Sequence, residues 1–161
     1  MSNRRLLRLL LVPLTVLVAM IASTGAVASP PTQASGTVGN TAATFNSTRM
    51  VGDTLIADVT ATAAYTGTFT GTSTIRGILI VRADGSANFI DVETFTGTVN
   101  GVHGTVMFLL VGSNNAALES HATATIIRAG GDLAGLHGVL HEVGTVVIPN
   151  GPVGTYTGRI G

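Results

Sequence analysis

The sequence predicts an all-β fold, a closed eight-stranded antiparallel up-and-down β-barrel, and three observations carry that expectation. The segment 67–112 reads as three consecutive strands rich in Ile, Val, Thr and Phe, divided by Asp84-Gly85 and Asn100-Gly101. Such dipeptides supply the positive-φ pair of a type I′ hairpin turn, so the strands they join pair antiparallel. No segment carries helical periodicity with a cap. The closest, 131–138, has glycine at 131, 135 and 138, each costing about 1 kcal/mol in a helix relative to Ala, and holds one turn at most. The third observation is the meander itself: short strands at hairpin spacing, without crossover helices, favour an up-and-down sheet. Eight strands is the number at which such a sheet closes around side chains or one small ligand.

Along the chain, residues 1–28 read as an export signal: Arg4, Arg5 and Arg8 open it, 9–22 is apolar, and Ala26-Val27-Ala28 is a small-residue cleavage site. The apolar stretch is shorter than the roughly 20 residues a spanning helix needs. Arg4-Arg5 permits a twin-arginine route, although general secretion suits the rest of the segment better. The mature protein is expected to start near Ser29 and to be secreted or otherwise extracytoplasmic, with no stable membrane insertion after cleavage. Residues 29–37, rich in Pro, Ser, Gly and Gln, read as a flexible leader. The barrel domain takes 38–161, with strands near 40–49, 54–65, 67–82, 87–97, 102–112, 119–128, 138–148 and 153–160.

Closure removes sheet edges, which matters for the uncharged β-forming runs 78–81 and 106–111: unpaired, they would be aggregation templates. A membrane-spanning barrel would need aromatic girdles, and the chain has no Trp and only two Tyr. A solenoid is suggested by recurring Thr-Gly pairs, but their spacing is irregular. Those pairs suit strand ends and bends, where glycine lets a sheet coil.

Composition excludes several functions. There is no cysteine, hence no disulfide framework, thiolate metal site or thiol nucleophile. Every basic residue is Arg, which points to a GC-rich, bacterial genome. Beyond the signal, five scattered arginines face eight carboxylates, a net charge of −3 that disfavours nucleic acid as a partner.

Two faces carry possible chemistry. Alternation on the 87–97 strand puts Phe89, Asp91, Glu93 and Phe95 together and leaves Asn88, Ile90, Val92 and Thr94 opposite. If the first face lines the barrel, Asp91 and Glu93 lie about 7 Å apart; burial beside a like charge then raises at least one pKa towards neutrality. If it faces out, both are solvated charges and Ile90 and Val92 enter the core. Arg76 sits with Ile78 and Ile80, opposite Ser73, Ile75, Gly77 and Leu79. It could be an inward partner of Glu93 or half of a surface ion pair worth about 0–1 kcal/mol.

Other motifs are weaker. His137 and His141 would share a helical face, but a strand separates them by about 13 Å, too far for one metal. His103 and His121 open other strands. No Gly-x-Ser-x-Gly elbow or phosphate loop exists, and no cofactor or metal is implied.

The motifs Gly67-Thr68-Phe69-Thr70-Gly71, Ala83-Asp84-Gly85-Ser86-Ala87-Asn88-Phe89, the Glu93 strand ending at Gly97, the 101–105 hairpin and above all Gly131-Asp132-Leu133-Ala134-Gly135-Leu136-His137-Gly138 resemble a bacterial family of unknown function with an allene oxide cyclase-like, calycin-like barrel. The resemblance spans roughly 67–158 and implies an eight-stranded barrel. At greater distance the chain is similar to plant allene oxide cyclases and bacterial spirotetronate cyclases, which fold an apolar substrate inside the barrel and act chiefly by constraint. Glu93 is the position carried over as an interior polar residue. Leu109 and Leu110 stand where relatives commonly show Gln and His, and the Trp often found near Thr125 is missing, which weakens an enzymatic reading.

The leading expectation is a secreted barrel that has no enzymatic activity and binds a small apolar molecule or serves structurally. Phe89, Phe95 and Phe108 are its candidate ligand contacts. The enzymatic alternative is a cyclase or isomerase of a hydrophobic substrate, with Glu93 as acid or base, Arg76 orienting it and Tyr65 as a donor. A third class, a surface-interaction protein, would display Thr ladders on a flat sheet.

Overall fold

Thr-, Val- and Ala-rich segments form eight strands in the computed structural model, which describes residues 30–161. They are β1 (Thr32–Val51), β2 (Thr54–Gly67), β3 (Phe69–Val81), β4 (Ala87–Val99), β5 (Val102–Asn114), β6 (Glu119–Gly131), β7 (Gly138–Val147) and β8 (Gly151–Ile160). Each pairs antiparallel with the next, and β1 also pairs with β8, so the strands are hydrogen-bonded in a closed ring in chain order. The expected export signal lies outside the described residues.

The ring begins earlier than the composition suggests. Residues 32–37, expected within a flexible leader, are strand: Thr32 pairs with Ile160 and Thr37 with Thr155. Partnering explains the correction, because a polar Ser/Thr/Gly segment acquires strand geometry when β8 offers unpaired backbone groups. Without those six residues the ring would keep little of its β1–β8 seam.

The two diagnostic turns differ from each other. Asn100-Gly101 is a two-residue connection with φ of 50° and 82°, as type I′ requires. At Asp84-Gly85 only Gly85 has positive φ; its N–H bonds Arg82 O, while Arg82 N–H bonds Ser86 O. That is a type I turn closed by a left-handed glycine, the three-residue hairpin loop. Asp84 Oδ1 accepts from Ser86 N–H at 2.9 Å, which favours this loop over the tighter one.

Strict alternation sets most inward faces, and bulges reset it where it would fail. Register shifts in β1 at Asn40/Ala42 and Phe45/Ser47 let Val38 and Asn40, then Ala43 and Phe45, line one interior. In β6 a shift opposite Met107/Phe108 keeps Ile126 and Ala129 on the inside and Arg128 exposed.

One end of the interior is filled. Phe69 packs edge-on against Phe95 and Tyr156, with centroids 5.4 and 5.9 Å away, and tilted against Phe108 at 5.6 Å. Tyr156 Oη accepts from Phe69 N–H at 2.8 Å and donates to Thr66 O at 3.0 Å, so its polar atom is satisfied in a dry place. Leu133, Ile160 and Val99 complete this plug.

Candidate functional site

Above the aromatic plug the filling stops and a cavity of about 320 Å³ begins. Its walls are chiefly apolar, among them Val38, Val59, Ile75, Leu79, Phe89 and Leu110. Its lining extends to the middle of β1 and to the turn from β7 into β8, where Phe45 is 55% and Ile148 75% exposed. Inward glycines give the larger side chains room. A Cβ on Gly77 would collide with the Asp91 carboxylate, and one on Gly112 with the Phe89 ring.

Where plug and cavity meet, four strands, β2, β3, β4 and β7, bring four polar groups together. Tyr65 Oη lies 3.1 Å from Glu93 Oε2 and 3.4 Å from Glu142 Oε1. Ser73 Oγ donates to Glu93 Oε1. Glu93 is 1% exposed. One hydroxyl carries one proton, so Tyr65 cannot donate to both carboxylates at once. When it donates to one, the other reaches the same oxygen by donating its own acid proton.

The electrostatics agree with that sharing. Burial pushes the Glu93 carboxyl up to about 8, the neighbouring Glu142 adds to the rise, and the Ser73 and Tyr65 hydroxyls oppose it. Burial also lifts Glu142 to about 7, against the Tyr65 hydrogen bond, and lifts Asp91 to about 6. The Tyr65 phenol is raised by burial and by both glutamates, so it stays protonated and acts as donor. The pair therefore retains protons at neutral pH and can give or take one inside an apolar space.

Of the residues singled out from sequence, Glu93 and Tyr65 meet here and Phe89 lines the cavity. Phe95 and Phe108 lie in the plug instead, fully buried among other rings. Arg76 faces outward. It pairs in register with Thr60 and Val92, whereas Glu93 stands opposite Ile75; an odd step along a strand reverses the side, so the two cannot meet. Glu142 escaped the sequence reading, which weighed its strand only for His137 and His141. Its signal was alternation: Leu140, Glu142 and Gly144 share one face. Among the described residues, no group of three or more His, Asp or Glu could hold a metal ion.

A family model described as a protein of unknown function, DUF3224, matches residues 32–146. The crystal structure of a protein of unknown function from that family, from Shewanella oneidensis MR-1, is similar in fold, with a TM-score of 0.64 at 18% identity over 82% of this chain and 97% of that one. No curated protein matches.

Proposed function

Since the chain belongs to the DUF3224 family, whose function is unknown, we propose a role from its interior: it binds one small, mainly apolar molecule bearing a polar head. The cavity carries this reading, because it is apolar-walled, closed below by aromatic rings, and ends on Glu93, Tyr65 and Glu142. Its volume lies at the lower end of the range of ligand sites, about 300–1,000 Å³. A purely structural barrel would fill this space with side chains, as the plug does. We also propose export, supported by the basic start, the apolar stretch and Ala26-Val27-Ala28.

Native mass spectrometry of protein purified from its own host tests the binding role and should reveal a co-purifying small molecule. Uptake of diphenylhexatriene, a neutral apolar dye, should follow in delipidated protein and be lost in Ala122→Phe, which fills the cavity. Normal uptake by that variant would remove this site from the account. N-terminal sequencing of secreted protein should begin near Ser29.

A second reading is favoured by the shared proton. A hydroxyl between two acids that titrate near neutrality suits acid–base isomerisation or ring closure of a hydrophobic substrate, as the likeness to allene oxide cyclase-like barrels implies. Here Glu93 and Glu142 exchange the proton and Tyr65 relays it, without Arg76. A co-purified molecule returned to fresh protein would then change retention time at constant mass, and would not do so with Glu93→Gln.

A further inference from the structure

We propose that the ligand is a hydrophobic amine, its apolar body lying along Leu79, Phe89 and Leu110 and its ammonium group docking among Asp91, Glu93 and Glu142. This rests on the ligand-binding reading above and names the chemistry of the polar head.

The polar lining of the cavity is one-sided. Three carboxylates on β4 and β7 face it, and Asn114 Oδ1 on β5 is buried there without a donor. Burial alone shifts Asp91, with no neighbouring cation or hydrogen-bond donor to offset it. The hydroxyls that approach the acids are already engaged, Tyr65 of β2 between Glu93 and Glu142 and Ser73 of β3 with Glu93. Asn40 of β1 and Ser120 of β6 also line the space, and β8 brings Pro152, Val153 and glycines, so no strand supplies a charge of opposite sign. The chain has no lysine, and Arg49, Arg76, Arg82, Arg128, Arg159 and the four histidines are all exposed.

Such a lining discriminates among apolar guests. A fatty acid would place a fourth carboxylate beside three. An alcohol offers one donor and leaves the other acceptors unmet. A primary ammonium brings three N–H donors and a positive charge to three acids that no cation of the chain approaches, in a dry setting where the attraction is strong. Its arrival favours the ionised acids, so binding should expel a proton held between Glu93 and Glu142.

Isothermal titration at pH 7 with octylamine, octanol and octanoate separates the possibilities. Octylamine should bind at least tenfold more tightly than octanol, octanoate should not bind, and buffers of different ionisation enthalpy should report release of about one proton per amine. The double variant Glu93→Gln/Glu142→Gln should lose the amine preference and keep octanol binding. Should it fail to fold, Asp91→Asn, nearer the rim, should weaken octylamine selectively. Octanol binding as tightly as octylamine, octanoate binding at all, or no proton release would overturn the amine while leaving the pocket intact. Dye uptake with no binding by any of the three would also overturn it. If neither dye nor any of the three is taken up, the binding reading itself fails.

Discussion

Glu93 on β4 and Glu142 on β7 meet across the interior through a single hydroxyl, Tyr65 Oη, at 3.1 and 3.4 Å. Strands distant in the ring are thereby joined by a polar contact inside an otherwise apolar tube.

Tyr65→Phe removes that contact and leaves Glu142 with no hydrogen-bond donor among the described residues. Loss of about 1–3 kcal/mol is expected in urea unfolding, the cost of stranding a buried polar group. Carbon-13 NMR titration should show the Glu93 carboxyl moving higher, because one of the two hydroxyls that hold it down is gone.

Stability should fall as pH rises. All three interior acids have folded pKa values above their ordinary ones, so the native state holds more protons than the unfolded chain. Their stabilising contribution is complete below pH about 4 and declines as pH passes about 6 for Asp91, about 7 for Glu142 and about 8 for Glu93. Denaturant midpoints measured from pH 5 to 9 should decrease, and Glu93→Gln should flatten the upper part of that curve. A midpoint rising over this interval would contradict the burial of these acids.

Gly112→Ala should destabilise by about 1–3 kcal/mol, as overpacking does, because the new Cβ meets the Phe89 ring. Phe89→Leu should relieve part of the loss. A double-mutant cycle with no coupling would show that the two side chains do not contend for the same space.

Phe69 lies at the centre of the plug, against Tyr65, Phe95, Phe108 and Tyr156. Phe69→Ala should cost about 3–5 kcal/mol in chemical denaturation.

Removal of residues 1–29 should leave the ring intact, and removal of 1–37 should not. The longer deletion takes the partners of Thr155 through Ile160, exposing a sheet edge. Circular dichroism and sedimentation should report lower stability and self-association for it alone.

Most of the fold was legible because it is written locally. Asn100-Gly101 fixes one hairpin, and two-residue periodicity groups Phe89, Asp91, Glu93 and Phe95 on one face of β4, which is why Glu93 could be singled out. What was not legible depends on partners remote in sequence. Residues 32–37 carry no apolar alternation and become strand through β8, more than a hundred positions away. The side to which Asp91 and Glu93 turn could not be decided from β4 alone, since Phe and Ile stand on opposite faces. Gly77 and Gly112 on neighbouring strands settle it by making room for Asp91 and Phe89. Glu142 joins the site through Tyr65, a relation between β2 and β7 that no local pattern encodes.

The packed rings around Phe69 make the interior a blind alley. In the proposed binding role a guest would enter polar end first and leave by the same doorway, travelling backwards. Its greasy tail would then lie at the threshold beside the exposed Phe45 and Ile148. Release would thus be set by the doorway, and recognition by the far end.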